Sequence, residues 1–480
     1  MATPWKTLKG YEMVIGLEVH VELKTKTKIF CSCKTDFGAP PNTQCCPVCM
    51  GFPGTLPVLN KQVVHYAVLA GLATGCTIAR YSKQDRKNYF YPDLPKAYQI
   101  SQYDLPLCVD GHLMVETPEG EKRIGITRIH IEEDAGKLIH DPEQGTLIDC
   151  NRCGVPLIEI VSEPDIRTPQ EAVAYLQKLR AVIAYTGISD CKMNEGSLRC
   201  DVNLSIHKPG QPFGTRTEMK NLNSFKAIRR AIEGETERQM DLLDAGEKVV
   251  QETRRWDDNA GESYAMRSKE DAQDYRYFPD PDLVPIVLSD EFLEEIRSRQ
   301  PEFRNEKRIR YREEFGIPDY DIEIITGSKK MADLFEQTVA LGTQPKKVSN
   351  WLMGETLRIL KEKELDPEDI RFSPEHLSSL IALQDSKAIN GAVAKEVFEV
   401  MFEEDMDPVS YVEEKGLKTV NDEGALRKTV EEVIANNPQS VEDYHNGKEK
   451  AIGFLVGQTM KAMKGKCDPG MVNQLLKELL

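Results

Sequence analysis

Val14-Ile15-Gly16-Leu17-Glu18-Val19-His20-Val21-Glu22-Leu23 alternates apolar and ionisable side chains with a period of two. In an extended strand this spacing puts Glu18, His20 and Glu22 on one face and Leu17, Val19, Val21 and Leu23 on the other. Beside it lies Cys31-x-Cys33, followed after twelve residues by Cys46-Pro-Val-Cys49. Two close thiol pairs separated by a loop supply the four soft ligands that tetrahedral zinc takes. Cys45 is a spare thiol that can substitute. A four-thiolate site leaves no open position, so a zinc on Cys31, Cys33, Cys46 and Cys49 is structural and pins the Pro40-Pro41-Asn42 loop. Residues 11–49 thus carry two metal-ligand patterns, one suited to a hard catalytic cation and one to zinc.

The chain has 480 residues, 40% hydrophobic and 29% charged, with a formal net charge of −16. That length suggests about three domains, each large enough for its own core. No apolar run of about 18 residues occurs, which argues against a membrane-spanning helix. The Met1-Ala-Thr-Pro-Trp-Lys start has no apolar signal segment, so a cytoplasmic protein is expected. The negative charge argues against sequence-independent coating of nucleic acid but does not exclude a shaped RNA that meets local basic patches. Five of the 12 cysteines fall between Cys31 and Cys49. In a reducing compartment such a cluster reads as metal ligands rather than disulfides, although small buried thiols are the plainer alternative. Cys150-x-x-Cys153 has no second pair and stays unassigned.

Residues 1–290 mix strand-like alternation with helices, an α+β pattern. Thr168-Pro169-Gln170-Glu171 starts a helix with a capping box, and its apolar face (Ala172, Val173, Leu176, Leu179, Val182, Ile183) ends at Gly187. Residues 60–72 and 224–243 read as two more helices. From residue 289 the spacing is helical almost throughout, with Phe335/Val339 and Val393/Val397 recurring at four-residue steps and Trp351/Leu352 adjacent between them. Glu403-Glu-Asp-Met-Asp-Pro408 reads as a linker before a small helical tail.

Two further strand-like segments carry acids: Ile129-His-Ile-Glu132-Glu133-Asp134 and Leu157-Ile-Glu159-Ile-Val. Glu159, flanked by apolar residues, is costly to bury ionised without a cation or a hydrogen-bonded partner. Acids converging with a histidine bind magnesium or manganese, whereas a lone strand glutamate is usually solvated. Asp85-Arg-Lys-Asn-Tyr-Phe-Tyr-Pro-Asp and Asp274-Tyr-Arg-Tyr-Phe-Pro-Asp-Pro-Asp282 mix basic and aromatic residues. That mixture suits either a nucleotide-stacking surface or an irregular apolar plug. Arg199, Asp201 and Asn203 share a strand face, which suits a metal–phosphate site or a structural salt bridge. No GxxxxGK[ST] or GxGxxG stretch occurs. In the tail, Lys448, Lys450, Lys461, Lys464 and Lys466 make a basic edge that can track an RNA backbone or simply be solvated.

The quoted stretches, with Lys96-Ala-Tyr-Gln-Ile-Ser-Gln, His130-Ile-Glu-Glu-Asp-Ala-Gly-Lys, Gly196-Ser-Leu-Arg-Cys-Asp-Val-Asn, Lys220-Asn-Leu-Asn-Ser-Phe and Gly453-Phe-Leu-Val-Gly-Gln, resemble the B-subunit family of aspartyl/glutamyl-tRNA amidotransferases (GatB/GatE). The likeness runs in order over almost the whole chain. It implies a cradle domain on an antiparallel sheet (residues 1–290), a helical domain (291–407) and a YqeY-like, tRNA-binding tail (408–480). It implies a heterotrimer with A and C subunits acting on tRNA(Gln) or tRNA(Asn). The A subunit hydrolyses glutamine to ammonia. The B subunit uses ATP to phosphorylate the carboxylate of Glu-tRNA(Gln) or Asp-tRNA(Asn), and channelled ammonia displaces the phosphate, a carbon–nitrogen ligase reaction.

Carried over onto this sequence, the family's Mg2+ (or Mn2+) site falls on Glu18, His20, Glu133 and Glu159. Its ammonia gate falls on Lys87, Tyr89 and Lys96, with Glu133 as acidic partner. Strand parity pairs Glu132 rather than Glu133 with His130, so both stay candidates. Arg199 and Asp201 are added as phosphate or supporting groups, and Lys448, Lys450, Lys461 and Lys464 as tRNA contacts. Some relatives lack the cysteine cluster, which makes the Zn2+ architectural. The competing expectation is a non-catalytic scaffold that only cradles tRNA. A stand-alone metal hydrolase is disfavoured by the lack of HExxH or a histidine-rich ligand set.

Overall fold

The computed structural model describes residues 10–268, 275–419, 423–448, 450–463, 467 and 469–480. The chain divides into two compact units, one ending at Phe303 and one spanning Arg304–Leu480.

The first unit contains strands β1 (Glu12–Glu22), β2 (Thr77–Ile78), β3 (Tyr81–Ser82), β4 (Asp85–Asn88), β5 (Tyr98–Ser101), β6 (Cys108–Thr117), β7 (Gly120–Glu133), β8 (Lys137–Asp141) and β9 (Gly145–Asp149). They are followed by β10 (Pro156–Ser162), β11 (Leu198–His207), β12 (Thr217–Lys220), β13 (Glu252–Asp257), β14 (Glu262–Ser268), β15 (Phe278–Pro279) and β16 (Ile286–Val287). Its helices are α1 (Lys61–Ala73), α2 (Pro169–Thr186), α3 (Phe225–Asp244) and α4 (Asp290–Ser298). Nine strands form one sheet in the order β14-β13-β12-β11-β1-β10-β7-β6-β2. All its pairs are antiparallel except β12–β13. That exception has a topological cause: α3 lies between these two strands, and a helical crossover returns the chain in the same direction.

The alternation of β1 sorts its side chains as expected. Leu17, Val19, Val21 and Leu23 are buried in a core shared with α1 to α4, while Glu18, His20 and Glu22 lie on the opposite face. Local chemistry starts each covering helix. Asn60 accepts from the Gln62 amide, Ser224 from Ala227, and Thr168 from Glu171. The expected capping box at α2 is half realised: Glu171 Oε2 accepts from the Arg167 amide at 2.7 Å and pairs with Lys122. Gly187 ends α2 in the left-handed region at φ 74°, where a Cβ is disfavoured.

Two domain limits differ from the expectation. Leu293 and Ile296 of α4 pack into the first core, carrying that unit past residue 290. The expected linker at 403–408 is instead a tight turn between helices. Asp405 closes Gly391–Glu404 at φ 47°, and Asp407 caps Pro408–Glu414. Val412 of the latter helix is buried in the same core as Phe335, Leu352, Val393 and Val397. A separate small core, with Leu426, Val430, Leu455, Val472 and Leu476, holds the tail helices. Among the described residues no helix is long and apolar enough to cross a membrane.

Candidate active site

The strand order places β11, β1, β10 and β7 side by side, so one sheet face gathers side chains far apart in sequence. In register, His20 faces Arg199 on one side and Glu159 on the other, and Glu159 faces His130. Glu132 lies two residues beyond His130 and shares its face. The result is a polar cluster in which His130, Glu132 and Glu159 are buried and His20 is half-buried. His20 Nε2 is 3.4 Å from Glu159 Oε2 and 3.9 Å from Glu132 Oε2. His130 Nε2 is 3.3 Å from Glu132 Oε1 and 3.4 Å from Glu159 Oε2. Ser101 donates to Glu132 at 2.7 Å.

Electrostatics follow from the packing. Burial alone would pull both histidines down, but Glu159 and Glu132 outweigh it, holding His20 above its ordinary value and pushing His130 up to about 9. Burial works against the Glu159 charge, yet His130 and His20 hold its carboxyl well below the usual range. Burial and Glu159 both oppose the charge on Glu132, and His130 with Lys87 still leaves it lowered. Lys87 stays above its ordinary value despite burial because Glu132 and two tyrosines face it. Its ammonium sits 4.9 Å from the Tyr275 ring centroid and 5.9 Å from that of Tyr89.

One ligand atom from each of His20, Glu132 and Glu159 lies within 4.8 Å of the others. One imidazole with two carboxylates is a donor set for magnesium or manganese. Two carboxylates crowded at one buried point also need positive charge there, which the histidines or a cation provide. The residues therefore fit a divalent ion.

The placement of the expected ligands differs in two respects. Glu133 turns away from this cluster. As the strand neighbour of Glu132 it projects to the opposite face, where its carboxylate pairs with Lys96 and accepts from the Ile100 amide at 2.9 Å. Glu132 takes the place expected for it. Glu18 lies one step along β1, in a second group with Asp201 and Glu218. Asn203 donates to Glu18 at 2.9 Å, and Lys220 bridges Asp201 (2.5 Å) and Glu218 (3.0 Å). Burial, then Glu159 and Glu218, raise the Glu18 carboxyl. The expected gate residues split likewise: Lys87 and Tyr89 adjoin the polar face, whereas Lys96 joins Glu133. Arg199 is engaged by Asp134 at 2.8 Å, and Glu22 beside it is pushed up to about 8 by burial and Asp134.

His130, Ser101, Glu218 and Lys220 complete these groups, although no sequence motif marks them as site residues. His130 was detectable, because it shares the parity of Glu132 on a long strand. In the tail, Lys448 pairs with Asp443 at 2.9 Å, and Lys450 and Lys461 are exposed on the helix Lys450–Ala462. Lys464 and Lys466 lie outside the described residues.

The four cysteines converge as their spacing predicts. One sulfur each from Cys31, Cys33, Cys46 and Cys49 lies within 4.8 Å of the others. Cys45 stands apart and donates to the Asn42 carbonyl at 3.3 Å. Asn42 itself, at φ 59°, is tied to Asp149, Ile148 and Cys150, which anchors the loop. Four soft sulfurs at this separation fit zinc.

Comparison with known proteins agrees along the whole chain. A family model described as the GatB/GatE catalytic domain matches residues 13–294, and one described as the GatB domain matches residues 333–480. A protein of Agathobacter rectalis, named as the B subunit of an aspartyl/glutamyl-tRNA(Asn/Gln) amidotransferase, is 64% identical over 475 residues, 98% of this chain and 100% of its own length. Proteins of the same name from Lachnoclostridium phytofermentans and Caldicellulosiruptor bescii are 62% and 60% identical, each covering 98% of this chain and 99% of its own length. With the sheet, the polar cluster and both domain matches in agreement, the chain belongs to the GatB/GatE family.

Proposed function

We propose that this chain is the carboxylate-activating subunit of a tRNA-dependent amidotransferase, and that the face carrying His20, Glu132 and Glu159 is its phosphoryl-transfer centre. The observation that carries the reading is the meeting of these three side chains, from three adjacent strands, in one cluster with both carboxylates buried. The relatives' name supplies the substrate: glutamate esterified to tRNA(Gln), or aspartate to tRNA(Asn). An oxygen of the side-chain carboxylate attacks the γ-phosphorus of ATP, the bond to the ADP oxygen breaks, and an acyl phosphate results. Ammonia then attacks the acyl carbon, and inorganic phosphate leaves with the bonding pair.

A carboxylate is a poor acyl donor, and phosphoryl transfer depends on position and charge neutralisation. A magnesium or manganese ion on His20, Glu132 and Glu159 would supply that neutralisation. The remaining groups belong to the chain. Lys87 offers a half-buried ammonium beside the cluster that can receive the incoming carboxylate. Glu18, Asp201 and Lys220 extend the polar row along the sheet, next to a large cleft lined by Glu22, Arg199, Asp201 and Asn223, where nucleotide has room to lie.

On the other face, Lys96 and Glu133 line a cavity of about 200 Å³. A buried ion pair at that position suits a gate for ammonia released from glutamine by an A subunit, with a C subunit completing the heterotrimer. The cysteine centre holds structural zinc, and the exposed Lys450 and Lys461 meet the tRNA backbone.

The test is Glu159→Gln in the assembled complex. It should abolish γ-phosphate transfer while leaving glutaminase activity and tRNA binding in place. Transfer at the wild-type rate would make the chain a scaffold that cradles tRNA for chemistry done elsewhere.

A further inference from the structure

Lys28 is among the largest fully buried side chains, with 0% of its surface exposed. A buried ammonium is carried in a folded protein only where negative charge compensates it. Among the described residues, no carboxylate lies within ion-pair range of Lys28. Glu133, which lines the same cavity, is taken by Lys96. The Lys28 ammonium instead donates to Cys49 Sγ at 3.6 Å and to the Cys150 carbonyl at 3.3 Å. Its backbone is fixed on both sides: its amide donates to the Cys33 carbonyl at 2.9 Å, and the next amide donates to Gly154 at 2.9 Å. The charge is therefore held against the cysteine centre.

A divalent ion with four thiolates keeps a residual double negative charge. Cys49 also accepts the Cys46 amide at 3.1 Å, so two donors converge on this sulfur. We propose that Lys28 is the internal counter-cation of the four-cysteine zinc centre, offsetting its excess charge and drawing electron density from the Cys49 sulfur. Nothing in the Cys-x-Cys…Cys-x-x-Cys pattern announces it. The role is electrostatic support of a metal site: Lys28 makes the centre slower to release zinc and slower to react with electrophiles. The inference rests on the zinc reading of the cluster.

The experiment compares the full-length wild type with Lys28→Met, an apolar side chain of similar reach. Metal content comes first, since a wild type that binds no zinc sinks the zinc reading and this proposal with it. With zinc bound, transfer to a competing chromophoric chelator should be about tenfold faster in Lys28→Met, the usual scale for lost outer-shell support of a metal site. The cobalt-substituted variant should show its sulfur-to-metal charge-transfer band at lower energy. Melting supplies a sign test: Lys28→Met should lower the melting temperature of the zinc-loaded chain and raise that of the zinc-free chain. A packing role would move both the same way. Unchanged zinc release and band position, or same-sign melting shifts, overturn the proposal while leaving the zinc reading intact. Should Lys28→Met fail to fold, Lys28→Arg decides: restored folding with slow zinc release supports the charge, and continued failure overturns it.

Discussion

Replacing Glu132 by glutamine separates the two neighbouring acids on β7. The amide keeps the side chain's shape and its contact with Ser101 but removes one charge from the cluster. Ligand atoms there lie within 4.8 Å of one another. At an effective dielectric constant of about 20, a divalent ion and a unit charge about 4 Å apart interact by about 8 kcal/mol. Relief of the Glu132–Glu159 repulsion, the amide oxygen that stays as a neutral ligand and local rehydration offset most of this, leaving about 2 kcal/mol, or about thirtyfold in divalent-ion affinity. Glu133→Gln is the matched control. Its carboxylate faces Lys96 and the Ile100 amide on the other side of the sheet, so affinity should stay within about twofold, inside the scatter expected for a distant charge. Manganese binding followed by electron paramagnetic resonance gives the affinity directly. Manganese titration of single-turnover γ-phosphate transfer to Glu-tRNA(Gln) gives its consequence. Equal losses in the two variants, or a silent Glu132→Gln, would refute the assignment of Glu132 to the metal and restore Glu133 to that place.

Other perturbations address other layers of the structure. Cys46→Ser should lose zinc and lower the melting temperature while γ-phosphate transfer by the folded complex is retained; atomic absorption and single-turnover assays check the two halves. Glu235 is fully buried and accepts from Thr217, Gln239 and Arg238 beneath the sheet, with Arg254 adjacent. Glu235→Ala removes the acceptor shared by buried Thr217 and Gln239 and leaves Arg238 and Arg254 to Glu252, and should cost about 1–3 kcal/mol in denaturant unfolding. Divalent-ion affinity should rise from pH 7 towards 9. Despite burial, Glu159 and Glu132 push His130 up to about 9, and its proton competes with the cation for the same carboxylates. Affinity independent of pH over that range would mean that no proton on His130 competes with the cation there. Ending the chain after Thr419 should weaken tRNA binding and flatten its salt dependence. Ending it after Pro408 should also destabilise the helical body, because Val412 is lost from its core; calorimetry of the two truncations distinguishes them.

What the sequence reveals about this site depends on the distance over which each signal acts. The faces of β1 were legible because side-chain alternation is local geometry, and the parity of His130 and Glu132 followed from the same rule. Here parity overrode the position implied by family likeness: no bulge rotates the end of β7, and Glu133 points to the far side. Which strands adjoin β1 was not legible. The order β11-β1-β10-β7 brings Asp201, Glu18, Glu159 and Glu132 onto one face, and no local pattern encodes that neighbourhood. Glu218 and Lys220 escaped because Thr217-Glu-Met-Lys is too short an alternation to separate from a loop.

The 403–408 segment shows a different limit. Acidic residues followed by proline suit a linker, but the same residues suit back-to-back helix caps: Asp405 tolerates φ 47°, Asp407 accepts amides, and Pro408 fits a first helical turn. Local chemistry is the same in both cases. What separates them is whether the next apolar residue finds a core, and Val412 does. A boundary between folded bodies is therefore a property of packing across the turn, which explains why strand faces were readable from the residues and domain limits were not.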